Sequence, residues 1–115
     1  MDYKPLDIEE KWIQFWADHK SNQLDESLDK PAYYVLEMFP YPSGKLHMGH
    51  VRNYTLGDAL ARFKRMQGFK VLHPMGYDSL GLPAENAAKT HQMHPETLTL
   101  AKIEEMKAQQ IRLGF

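Results

Sequence analysis

The sequence contains no cysteine, so neither a disulfide framework nor a thiolate zinc site can be built from it. No apolar run approaches the roughly 20 residues of a transmembrane helix. The N-terminal stretch MDYKPLDIEEKW is acidic and lacks the apolar core of a secretory signal. Charge of one sign is not in excess either: 14 Lys and Arg stand against 15 Asp and Glu, for a net charge of −1. That balance argues against bulk attraction to nucleic acid or to a membrane, though it leaves room for a local basic patch. Internal repeats and low-complexity tracts are absent. What remains is 115 residues, 43% hydrophobic and 25% charged, enough for one domain with a modest core. A cytoplasmic enzyme, or a piece of one, is the expectation.

Periodicity supplies a coarse map. LDIEEKWIQFWADHK (6–20) reads as a helix, with Asp7 and Glu10 spaced as a capping box and Ile8, Trp12, Phe15 and Trp16 on one face. Two tryptophans on a face are a packing surface before they are a ligand site. SNQLDESLDKP is a polar connector. AYYVLEM (32–38) is aromatic and β-branched enough for a buried strand. A helix follows over 47–68, in which Val51, Tyr54, Thr55, Ala59, Leu60 and Phe63 recur at helical steps. Arg62, Lys64 and Arg65 suit its negative end and Gly68 its termination. FKVLHP (69–74) is a second short strand, and MGYDSLGLPAENAA is a loop entering another helix, with Pro83 in its first turn. Thr99 is placed to cap a last helix that Gly114 stops.

Strand, helix and strand within about 40 residues make a right-handed βαβ unit with parallel strands. The fold class is therefore α/β. Parallel strands send both following loops to the same sheet edge, where ligands bind in open α/β sheets. The two oddest segments, FPYPSGKLHMGH and PMGYDSLGLPAEN, should face each other across one crevice.

The first of these ends where a helix begins, and a helix start offers unpaired N–H groups and partial positive charge to an anion. Pro40 and Pro42 pre-set the turn, Gly44 lets the backbone bend, and Gly49 omits a side chain where a flat ligand could lie. His47 and His50, three apart, share a helix face, and two donors aimed outward suit charge developing on a transferring phosphate. A plainer reading makes them capping or surface histidines without chemistry. A metal pair is weaker still, because helical zinc pairs usually sit four apart and no third ligand accompanies these. Neither a Walker A loop nor a G-x-G-x-x-G fingerprint is present. In the second loop Asp78 could hold a cation such as a substrate ammonium, while Glu85 and Asn86 read as helix-start residues. His19, His73, His91 and His94 have no supporting context and read as structural or exposed.

PYPSGKLHMGH resembles the HIGH signature of the class I aminoacyl-tRNA synthetases. VRNYTLGDALARFKRMQGFKVLHPMGYDSLGLPAENAA is similar to the leucyl-tRNA synthetases in particular, and IEEMKAQQIRLGF resembles them as well. The resemblance implies a Rossmann-type site where leucine's carboxylate attacks the α-phosphorus of ATP, pyrophosphate leaves, and the aminoacyl group passes to the 3′ end of tRNA-Leu. By position it implies catalytic roles for His47 and His50. It implies ATP contacts from Pro40, Tyr41, Pro42, Gly44, His47, Gly49 and His50, and leucine contacts from Met38, Phe39, Tyr41 and Asp78. Magnesium is expected to accompany ATP, with no dedicated protein ligands, and no membrane partner is implied.

The family usually has Trp at Tyr77 and Ala-Phe at Ser79-Leu80, departures beside the implied amino-acid site that touch fine specificity, and a Trp usual near Leu98 is also absent. Its second signature, KMSKS, has no counterpart here. The expectation is thus a helix and connector over 1–30, and over 31–115 the N-terminal half of a Rossmann-type domain whose sheet a further C-terminal part would complete. Two parallel strands alone would leave unpaired edges. The alternatives are a nucleotide- or partner-binding module without turnover, and a helical interaction protein using the Trp12/Trp16 face.

Overall fold

The computed structural model describes residues 2–24, 26–27 and 29–115. Among these, the elements in chain order are α1 (Pro5–Asp18), β1 (Ala32–Tyr34), α2 (Met48–Met66), β2 (Lys70–Leu72), α3 (Leu82–His91) and α4 (Pro95–Arg112). The polar connector includes positions 25 and 28, which lie outside the described residues.

β1 and β2 pair in parallel, with Ala32 opposite Lys70, Tyr33 opposite Val71 and Tyr34 opposite Leu72. The expected strand–helix–strand unit is therefore formed, with α2 as its crossover. The strands are shorter than their apolar runs. One backbone bond at each end extends the ladder, from Val35 N–H to Leu72 O at 3.0 Å and from Lys70 N–H to Pro31 O at 2.9 Å. Beyond that Pro74 has no N–H to continue it.

The core is small: Val35, Ala61 and Val71, flanked by Tyr33 and Phe69. The expectation of a buried strand holds for one sheet face only. Residues alternate along a strand, so Tyr33, Val35 and Val71 turn to α2 while Tyr34, Leu36 and Leu72 are exposed on the other face. The inward stripe of α2 also differs from the expected one. Tyr54, Gly57 and Ala61 are buried, whereas Thr55, Ala59, Leu60 and Phe63 are exposed. The small Ala61 lets the helix pack close against Val35 and Val71, and Gly57 leaves room for the Glu37 side chain.

Two expected caps are replaced. α1 starts at Pro5 behind Lys4, which makes no side-chain cap, so Asp7 lies inside the first turn and acts on the helix dipole only. α4 starts at Pro95 behind His94, and Thr99 is buried within it. In both helices a proline with its φ already helical sets the start and overrides the capping residue further on. Pro83 does sit in the first turn of α3, and Gly68 and Gly114 follow α2 and α4 with φ of +89° and +79°, as glycine terminators should.

α1 buries no residue of its own and is held at one end. The Arg62 guanidinium lies 3.7 Å over the Trp16 ring, while donating to Gly114 O at 2.7 Å and to Asp58 Oδ2 at 2.6 Å. Among the described residues no helix is long and apolar enough to cross a membrane.

Candidate functional site

The loop leaving β1 and the loop leaving β2 meet, as the parallel strand order requires. Asp78 N–H donates to Pro40 O at 2.9 Å. Gly76 lies under the Phe39 ring, where an added Cβ would stand 3.0 Å from Cε2. A side chain here would require the Phe39 ring to shift by a few tenths of an ångström. Pro40 and Pro42 are buried and anchor the turn, Tyr41 is half exposed, and nothing lies within 4 Å of a Cβ built on Gly44. Met38 and the Asp78 carboxylate are exposed.

His47 is the N-cap of α2. Its Nδ1 accepts from Gly49 N–H at 3.1 Å and from His50 N–H at 3.4 Å, and His50 Nδ1 accepts in return from His47 N–H at 3.2 Å. This is a capping box written in imidazoles. It has a chemical consequence: a nitrogen that accepts carries no proton, so each neutral ring bears its hydrogen on Nε2. The rings stack with centroids 3.8 Å apart, and His50 lies parallel to Tyr54 at 5.9 Å. Burial, and then the neighbouring His47, hold His50 below the ordinary histidine value. The space freed by Gly49 is taken by the His47 ring, 2.9 Å from where a Cβ would stand.

Three contributors were not visible to sequence reasoning. Gln109 of α4 accepts the Leu46 N–H at 3.1 Å, and Glu105 pairs with Lys45 at 3.7 Å, so α4 braces the histidine loop from outside. Tyr54, fully buried, donates to Met38 O at 3.2 Å. Burial and then Glu37's charge push the Tyr54 phenol up to about 12, which keeps it a donor. His73, read as a histidine without context, meets Glu37 at 2.8 Å. The signal for that pair was Glu37 itself, a carboxylate within the apolar run AYYVLEM, which burial obliges to find a partner. His19 stacks on Phe15 and His94 precedes α4, both away from the crevice.

A cavity of about 380 Å³ lies behind the site, between α2, the β2 loop and α4. None of the predicted ATP or leucine residues lines it; two buried unpartnered donors, Arg65 Nη1 and Gln110 Nε2, belong to residues of its wall.

Residues 8–111 match the family model of tRNA synthetases class I (I, L, M and V). The leucine–tRNA ligase of Oleidesulfovibrio alaskensis is 59% identical over 115 residues, which is 100% of this chain and 14% of that protein. That of Citrifermentans bemidjiense is 58% identical over 113 residues, 98% of this chain and again 14% of the relative. Among solved structures, a LeuRS–tRNA–LeuAMS ternary complex from Agrobacterium radiobacter superposes with a TM-score of 0.90 at 50% identity, over 93% of this chain and 14% of that one. The chain therefore spans about one seventh of the length of these relatives. The family match runs over nearly the whole chain, and the chain belongs to the class I tRNA synthetases (I, L, M and V).

Proposed function

We propose that this chain is the ATP- and leucine-binding N-terminal part of a leucine–tRNA ligase. On this reading residues 31–115 are the first half of a Rossmann-type catalytic domain and residues 1–30 a helix and connector that brace it. The observation that carries it is the junction of the two loops: the Pro40–Asp78 bond sets an exposed carboxylate across from the turn that leads to two Nε2–H donors. No hydrogen bond among the described residues engages either Nε2, so both are available to phosphate oxygens.

Leucine's ammonium would sit on Asp78, with Met38, Phe39 and Tyr41 around its side chain. Its carboxylate oxygen attacks the α-phosphorus of ATP, a P–O bond forms, and the bond to pyrophosphate breaks with pyrophosphate as leaving group. His47 and His50 donate from Nε2 to the negative charge that builds on the phosphates, an electrostatic role that needs no proton transfer. Pro40, Tyr41, Pro42, Gly44 and Gly49 would shape the nucleotide side. Transfer of leucyl to tRNA-Leu belongs to the longer protein. Magnesium would arrive on ATP, where it would neutralise phosphate charge.

A second reading, nucleotide binding without turnover, is favoured by the bare face of the two-stranded sheet, where Tyr34, Leu36 and Leu72 are exposed. Amino-acid-dependent ATP–pyrophosphate exchange separates the two, run with leucine against isoleucine, valine and methionine. The proposal expects leucine-dependent exchange that falls about a hundredfold in the His47→Ala/His50→Ala double variant. Binding of a leucyl-adenylate analogue without exchange would leave the second reading. Neither binding nor exchange would overturn both.

A further inference from the structure

Glu37 and His73 stand just beyond the C-terminal ends of β1 and β2, and their side chains are 7% and 13% exposed. One ring nitrogen, His73 Nε2, lies 3.0 Å and 2.8 Å from the two carboxylate oxygens. A carboxylate only accepts, so Nε2 donates and straddles both. α2 makes room for this contact: a Cβ at Gly57 would fall on the Glu37 carboxylate. Glycine in the middle of a helix costs about 1 kcal/mol relative to alanine, and no backbone requirement explains it here, since Gly57 is not among the positive-φ glycines. Its explanation is the side chain that crosses the helix.

The neighbours of the pair show what it holds. The residue after Glu37 is Met38, whose carbonyl receives the Tyr54 hydroxyl, and the next is Phe39, whose ring lies over Gly76. Beyond His73 the chain runs through Gly76 to Asp78, whose N–H returns to Pro40 O. The pair thus ties the two strands together immediately before the residues that carry the leucine side of the crevice. The histidine side is held by other means, the imidazole capping box and α4.

We propose that Glu37 and His73 form a positioning strut, which fixes Met38 and Phe39 relative to Asp78 and so sets affinity for the amino acid independently of affinity for ATP. The strut's purpose rests on the ligase reading; its geometry does not.

The test has two arms on the whole 115-residue chain: amide hydrogen exchange, and binding of leucine, ATP and a leucyl-adenylate analogue. Loss of a hydrogen bond to a charged group should lower protection of the Asp78 amide in Glu37→Ala and His73→Ala by about tenfold to a hundredfold. Amides within α2 should keep their protection to within about twofold. Leucine binding should weaken by a similar factor with ATP binding nearly unchanged. Glu37→Gln, which still accepts from Nε2 through its amide oxygen, should recover most of both effects. Unchanged Asp78 protection would overturn the strut, as would uniform loss of protection across the chain, the mark of a merely stabilising pair. Equal weakening of leucine and ATP would overturn its selectivity. If the unaltered chain binds none of the three ligands, the ligase reading fails, and the exchange arm still decides the strut.

Discussion

Replacing Gly57 by alanine sets two effects of known size against each other. In a helix interior the substitution contributes about 1 kcal/mol of stability, because alanine restricts the unfolded backbone and glycine does not. Gly57 lies in the tenth position of the 19-residue α2, so the full gain should apply. Against it, the new Cβ would occupy the place of the Glu37 carboxylate. Glu37 is flexible enough to move, but moving breaks its contact with His73 and leaves a side chain that is only 7% exposed without its partner. A hydrogen bond to a charged group contributes about 1.5–3 kcal/mol, so the loss wins and Gly57→Ala should destabilise by about 0.5–2 kcal/mol. With a urea m value of about 1 kcal/mol/M for a chain this small, the midpoint should fall by about 0.5–2 M, read by far-ultraviolet circular dichroism. The decisive comparison is the same substitution in a Glu37→Ala background, where nothing opposes the new Cβ and the sign should reverse to a gain of about 1 kcal/mol. A gain in both backgrounds would refute the argument that Glu37 dictates the glycine.

Five further outcomes are expected. His50 is held below 6.5 by burial and by His47, so between its folded value and 6.5 the unfolded chain binds more protons; its contribution to stability should fall as pH drops below 6.5 and stay flat above. An NMR titration midpoint for His50 at or above 6.5 would contradict this, and His47→Ala should move it part of the way up. His47→Asn keeps a good capping side chain but removes the Nε2 donor, so it should cost under about 1 kcal/mol in urea unfolding yet lower leucine-dependent exchange by about tenfold; loss of fold instead would mean the imidazole stack, not the cap, holds the helix start. Arg62→Lys cannot reproduce the contacts to Trp16, Asp58 and Gly114 and should destabilise by about 1–2 kcal/mol, with red-shifted tryptophan emission as α1 loosens. Gly68→Ala should cost about 1 kcal/mol through its φ of +89°, whereas Gly44→Ala, in open space, should leave stability unchanged and reduce only ATP affinity.

The elements legible in the sequence were those with a local cause. Gly68 and Gly114 end helices because of a backbone property each carries alone, and Pro83 starts one for the same reason. Asp7 and Thr99 misled because a cap competes with a proline nearby, and Pro5 and Pro95 set the starts first. The stripe of α2 was misread because periodicity ranks residues by size and apolarity. The sheet instead selected Ala61 for closeness and the Glu37 side chain selected Gly57, which no count of large side chains reveals. Both strands were seen, but their exposed faces follow from having a helix on one side only. At the site, the meeting of two loops thirty residues apart was legible because parallel strand order is a topological rule. The Glu37–His73 pair was not, since nothing in a sequence assigns a buried carboxylate its partner 36 positions away.

The capping box also changes which groups can do chemistry at the start of α2. A helix start ordinarily binds anions with its free backbone N–H groups. Here the N–H groups of Gly49 and His50 are already taken by His47 Nδ1, and that of His47 by His50 Nδ1. Beside the Met48 N–H, the donors left to face a phosphate are the two Nε2–H groups, held side by side by ring stacking and oriented by the amides they occupy. Spending backbone donors on orienting side-chain donors extends the positive end of the helix outward by the width of an imidazole. It also ties the site's geometry to the neutral state of both rings, because a proton on either Nδ1 would remove the acceptor that holds that ring in place.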